Sequence, residues 1–237
     1  MKFLEKIKTN PAEGVTVAFL GDSITEGCFE LYKKENGETE GVTEPENGYA
    51  ACFIRALKYL FPTVAIRAVN AGIGGDNARG GAKRVETDVV RHKPDLTIVC
   101  YGLNDCGDKV IYAERYVNAL AEIFDRLREA GSDVIFMTPN MMNTELGAHL
   151  LDVEWLVSYA KGTMQRQCSG VFDAHIERAR ETCREKNVPV CDCYAIWKAL
   201  DANGVNVTSL LCNAVNHPSR EMHKLFAAEL IKTLFAS

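Results

Sequence analysis

Basic residues are in deficit in this chain of 237 residues. It has 27 Lys and Arg against 32 Asp and Glu, a formal charge of −5. No stretch offers the continuous cationic surface that nucleic acid or an anionic membrane requires, so neither is expected as a partner. Long apolar runs are also missing; none approaches the roughly 18 residues of a membrane helix. The opening MKFLEKIKTNPAEG scatters Lys and Glu where a secretory signal would have its apolar centre, which points to a cytoplasmic location. Internal repeats, low-complexity tracts and a linker are absent, so one domain over residues 1–237 is the simplest organisation. The nine cysteines are odd in number and scattered, and several lie in or beside apolar runs, as Cys52, Cys100 and Cys191 do. Free thiols in a reducing compartment fit them better than a disulfide framework.

What is present is apolar and periodic. A hydrophobic fraction of 47% suffices for a full core without staples. Strand-like runs at Val15–Leu20, Val64–Val69, Leu96–Tyr101, Val134–Thr138 and Val188–Tyr194 alternate with helical spacing at Gly48–Leu60, Ala82–His92, Ala113–Ala130, Val171–Lys186 and Arg220–Phe235. Short, nearly all-apolar strands separated by helices predict a parallel sheet covered on both faces, with right-handed crossovers. Two long stretches, Cys28–Asn47 and Asn140–Glu154, read as loops at strand C-termini, where open α/β sheets bind ligands.

Three strand ends carry chemistry-bearing residues. The first strand, within VTVAFLGDSITEG, stops at Gly21-Asp22-Ser23, the second runs into NAGIGGDN, and the third into GLND. In a parallel sheet these ends share one edge, so a serine, a glycine-rich turn and the Asn104 amide should converge. That set suits acyl transfer. A serine hydroxyl needs a base, and the tetrahedral oxyanion needs donors fixed in advance, each typically worth about 3–4 kcal/mol. The backbone N–H groups of Ser23 and a glycine of the second turn, with the Asn104 side chain, would supply them. Asp22 is expected to support the turn through backbone hydrogen bonds.

The base should be a histidine near the same edge. His92 and His175 fall on helical stretches and read as surface residues. His149 lies in the second long loop, and His223 about one turn inside the closing helix. His217, in CNAVNHPSREMH, sits in the loop before that helix, its backbone restricted by Pro218.

These blocks resemble the GDSL-type, or SGNH, hydrolase family: GDSITEG, NAGIGGDN, GLND and NHP occur in family order over residues 21–218. The resemblance implies a flavodoxin-like three-layer α/β/α sandwich around a central parallel five-stranded sheet. It implies a serine esterase acting without cofactor or metal, with Ser23 as nucleophile, His217 as base, and Ser23, Gly75 and Asn104 as the oxyanion hole. One departure matters. The family usually has an aspartate three residues before the histidine, where this chain has Ala214. A backbone carbonyl accepting from the imidazole, Asn213 or Asn216, or a distant carboxylate such as Asp192 or Asp201 could fill that role, and a Ser–His dyad with a carbonyl is favoured.

The family spans lipid esters, thioesters and acetylated sugars. The two polar loops suggest a hydrophilic rim, so the expected substrate is a small ester, with O-acetyl groups on oligosaccharides preferred. The alternatives are a lysophospholipase or thioesterase, and a non-catalytic carbohydrate-binding protein. A homo-oligomer is left open. Other motifs are weaker. GIGGDN lacks the third glycine of a dinucleotide fingerprint, since Asn77 stands there, and it follows the second strand. Cys191-Asp192-Cys193 lacks zinc spacing, no serine sits in a GxSxG elbow, and Trp155 and Trp197 read more readily as helix packing than as a sugar site.

Overall fold

A computed structural model describes residues 1–236. Five parallel strands form the main sheet: β1 (Val15–Gly21), β4 (Ile66–Gly72), β5 (Leu96–Cys100), β6 (Asp133–Met137) and β7 (Val190–Cys191). They lie in the order β4-β1-β5-β6-β7, the doubly wound flavodoxin order. All seven residues of β1 are buried, as a central strand covered on both faces demands. One face packs under α3 (Tyr49–Leu60), α8 (Cys193–Ala202) and α9 (Arg220–Ala236), around Phe19, Phe53, Trp197 and Phe226. The other packs under α4 (Ala78–Asp88), α5 (Val110–Glu129) and α7 (Val171–Glu185), around Leu20, Tyr116, Phe124 and Phe136. The result is the three-layer α/β/α sandwich. Short α1 (Lys2–Thr9) and α2 (Ser23–Glu26), with α6 (Glu154–Cys168), complete the helices described. None of them is long and apolar enough to cross a membrane.

Several sequence expectations need correction. The predicted loop Cys28–Asn47 is largely a β-hairpin, with β2 (Cys28–Lys33) pairing antiparallel to β3 (Thr39–Thr43) across a bulge. The Asn36-Gly37 step and the alternation of Phe29 and Leu31 with Glu30 were its signal. The second strand does not stop at Asn70 but continues to Gly72. The following helix starts at Ala78 rather than Ala82, because the Asn77 side chain accepts from the Gly80 amide as its N-cap. The fifth strand is far shorter than Val188–Tyr194. Asp192 accepts from Ala195 N and opens α8 at Cys193, a helix that the sequence pattern did not announce. The stretch Asn140–Glu154 is only partly rim, since Asn140 to Asn143 are buried. His175 is buried too, stacked on Tyr116 at 5.8 Å, because α7 turns that side onto α5.

Candidate active site

β1 and β4 pair through Gly21 and Gly72, and β1 and β5 through Gly21 and Cys100. The loops leaving these strands therefore start side by side at the point where the strand order reverses. Asp22 caps α2 by accepting from Ile24 N at 3.0 Å, so Ser23 is the first residue of that helix. A first-turn amide has no carbonyl partner inside its own helix. The next strand end presses against this turn: a Cβ built on Gly72 would lie 2.1 Å from Glu26 N. Asn70 Nδ2 donates to Thr25 O at 2.9 Å across the same contact.

The glycine-rich turn is tied down by its own aspartate. Arg84 of α4 donates to Asp76 Oδ2, to the carbonyls of Gly21 and Ala71, and to the Tyr101 hydroxyl, which in turn donates to Asp76 Oδ2. One guanidinium thus joins the ends of β1 and β4 to the turn that carries Gly75. Gly75 has φ +74° with open space where a Cβ would point, so backbone conformation rather than crowding favours glycine there. Asn104 Nδ2 donates to Asp76 O at 2.8 Å, which leaves its second amide hydrogen for another acceptor. Asp105 follows Asn104 in the loop after β5. It caps the earlier α4, accepting from Ala78 N at 2.9 Å, and so locks the third block to the second.

The carboxyl groups of Asp22 and Asp105 are both buried. Burial chiefly, opposed by backbone amide bonds and aided by neighbouring acids (Asp105 and Asp76 for Asp22, Asp76 for Asp105), brings both carboxyls up to about 7. Each keeps one buried oxygen without a partner among the described residues.

His217 arrives from the far end of the chain. Asn213 Oδ1 accepts from the amides of Val215, Asn216 and His217 at 2.9–3.0 Å and shapes the loop. Its Nδ2 donates to Asn216 Oδ1, so neither asparagine side chain bonds the imidazole. His217 Nε2 lies 3.1 Å from Ser23 Oγ, and Nδ1 lies 3.0 Å from the carbonyl oxygen of Phe29 on β2. Asp192 is engaged by Arg180 at 2.9–3.0 Å, and Asp201 is exposed on α8. With Nδ1–H donating to Phe29 O, Nε2 is free to accept the Ser23 proton. Burial holds the His217 imidazole below its usual range, while the Phe29 carbonyl and the Glu26 charge pull the other way.

The remaining histidines do other work. His223 accepts from Tyr49 N through Nδ1 at 2.9 Å, and burial drives it down to about 3. His149 Nε2 bonds Leu211 O, and His92 is exposed on a one-turn segment after α4. Trp197 is a core residue beside Phe226, whereas Trp155 stands 53% exposed at the start of α6. All nine cysteines are free, with the sulfurs of Cys191 and Cys193 3.7 Å apart in the core. The Phe29 carbonyl and the Arg84 clamp are what sequence reasoning missed. The hairpin signal at Asn36-Gly37 could have suggested the first; nothing local suggests the second.

Residues 19–225 match the model of the GDSL-like lipase/acylhydrolase family. An acetylxylan esterase of Geobacillus stearothermophilus is 30% identical over 135 residues, 53% of this chain and 60% of that protein, so the match spans three fifths of the relative's length. Among solved structures, an acetylxylan esterase from Geobacillus stearothermophilus superposes with a TM-score of 0.67 at 22% identity, over 93% of this chain and 94% of that chain. A two-domain esterase active on acetylated mannans gives 0.69 at 20% identity, over 99% of this chain and 52% of that one. At such identities the structural likeness speaks for the fold.

Proposed function

Since the chain belongs to the GDSL-like lipase/acylhydrolase family and is a carboxylic ester hydrolase, we propose that it removes O-acetyl groups from carbohydrates through an acyl-serine intermediate. The observation that carries the mechanism is the 3.1 Å separation of His217 Nε2 and Ser23 Oγ. Ser23 Oγ attacks the ester carbon as its proton passes to His217 Nε2. The amides of Ser23 and Gly75 and the Asn104 side chain hold the oxyanion that forms. The imidazolium keeps its Nδ1–H on the Phe29 carbonyl and returns the other proton to the leaving sugar hydroxyl. Water, deprotonated by the same Nε2, then attacks the acetyl-serine; collapse releases acetate and restores the hydroxyl. Asp22 supports the serine turn as its cap.

Two observations favour a sugar on the alcohol side. The relatives described above include an acetylxylan esterase and an esterase active on acetylated mannans. Trp155 and Tyr159 stand one turn apart on α6, both partly exposed, and the Tyr159 hydroxyl accepts from Asn216 Nδ2 at 3.4 Å, next to His217. Tyr159, beside the histidine loop, and the exposed Trp155 one turn before it are aromatic groups on which a pyranose could stack. The test is hydrolysis of a chromogenic acetyl ester and of acetylated xylo-oligosaccharides. Ser23→Ala should lower kcat by at least about 10³-fold, the size of effect seen on removing an activated nucleophile. Full activity in that variant, or none in the wild-type protein, would overturn the proposal.

A further inference from the structure

The missing aspartate at position 214 leaves His217 oriented by a main-chain carbonyl, and a carbonyl is only as well placed as the strand that bears it. That strand, β2, belongs to a two-stranded hairpin outside the main sheet. The hairpin tip is exposed from Lys33 to Glu38, so the sheet does not hold it.

One side chain spans the gap. Arg220 is the first residue of α9, three positions after His217. Its Nη1 and Nη2 donate to both carboxylate oxygens of Glu30 at 2.6 and 3.0 Å. Its Nε and Nη2 donate to both oxygens of Glu44, each at 2.8 Å. The face of the guanidinium lies over the Phe29 ring, 4.4 Å from its centroid. Two edges and one face of a single planar cation are in use, an arrangement that lysine cannot reproduce. The three groups engaged are the residue whose carbonyl meets the imidazole, its chain neighbour, and a residue after β3. The Phe29 ring is fully buried and also meets the His223 ring at 5.0 Å.

We propose that Arg220 is a positioning residue for His217: by gripping Glu30 and Glu44 and covering Phe29, it holds the Phe29 carbonyl at the imidazole Nδ1–H, the place a triad carboxylate would occupy. The base and the grip leave the same short stretch of chain, so the distance between imidazole and carbonyl is set within one rigid unit. The idea rests on the reading of Ser23 and His217 as the reacting pair.

The experiment compares Arg220→Met, Arg220→Lys and the double variant Glu30→Gln/Glu44→Gln by acetyl-ester kinetics and by imidazole ¹⁵N NMR, with the His217 resonances assigned from their absence in His217→Asn. In the wild-type protein His217 should be the single Nδ1–H tautomer. In Arg220→Met it should become a mixture, with kcat down about 10–100-fold and KM within about threefold, as for a misplaced catalytic group. Arg220→Lys should fall between the two. A folded Arg220→Met with wild-type kcat, or with the Nδ1–H tautomer intact, overturns the proposal. If Arg220→Met does not fold, the double variant decides: mixed tautomers and a smaller loss of kcat support the clamp, and an unchanged imidazole refutes it. The tautomer readout needs no turnover, so failure of the esterase reading, seen as an active Ser23→Ala, stays distinguishable from failure of the clamp.

Discussion

At the scale of single residues, the reactive character of the site comes from burial more than from charge. His217 is half-buried, and desolvation disfavours its protonated form. In the proposed mechanism the neutral imidazole accepts the Ser23 proton, so protonation would block the reaction. kcat/KM for an acetyl ester should therefore fall as pH drops through the His217 pKa, with a midpoint below the usual histidine value of about 6.5. A profile from pH 4 to 9 measures this, and a midpoint above neutrality would contradict the burial argument. Asp22 shows the same physics in a carboxyl group. It is raised to about 7 chiefly by burial, and its value to the site is the amide it caps rather than the charge it could carry.

At the scale of elements, the site is assembled from short pieces that cap or clamp one another. Asp105, in the loop after β5, caps α4; Asp76, before α4, binds Arg84 within it; and Arg84 returns to the ends of β1 and β4. The histidine loop is similarly closed, with Cys212 N donating to His217 O at 2.7 Å and Ala214 at φ +56° in the turn. Ala214 is fully buried, and a Cβ built on Gly147 would lie 2.7 Å from its methyl group. Restoring the family's acid here should therefore give no gain. An Ala214→Asp protein would place a carboxylate in a crowded, buried spot while Nδ1 already has the Phe29 carbonyl. The expected outcome is unchanged or lower kcat with a stability loss of about 1–3 kcal/mol, the usual penalty for a buried polar group without a partner. Thermal unfolding and acetyl-ester kinetics would show it; a faster enzyme would mean that the carboxylate had displaced the carbonyl.

At the scale of the whole molecule, the chain is acidic, with its serine at the topological switch point of a doubly wound sheet. The hairpin of β2 and β3 stands beside the histidine loop, and its rim carries Glu38 and Glu40, exposed, and Lys33, which reaches Asp152 O at 3.1 Å. A rim of this composition suits a hydroxyl-rich alcohol and a short acyl group. Acetyl esters should exceed decanoyl esters in kcat/KM by more than about tenfold, since a polar surface gains little from added methylenes. Equal turnover of the two, measured side by side, would favour the lysophospholipase or thioesterase alternative.

The five strands of the main sheet with five of the helices between and after them, the parallel sheet and the grouping of GDSITEG, NAGIGGDN and GLND at one edge were legible in the sequence, because apolar periodicity is a local property. So was His217 as the candidate base, through its place before the closing helix. The favoured expectation of a backbone carbonyl opposite its second nitrogen agrees with the structure, but which carbonyl was not legible. Phe29 offers only a main-chain carbonyl there, a group every residue carries, and its selection depends on a hairpin register and on Arg220 meeting Glu30 and Glu44 from 190 and 176 positions away. Residue type announces a side chain's chemistry, but a backbone oxygen acquires its role only from where the folded chain places it.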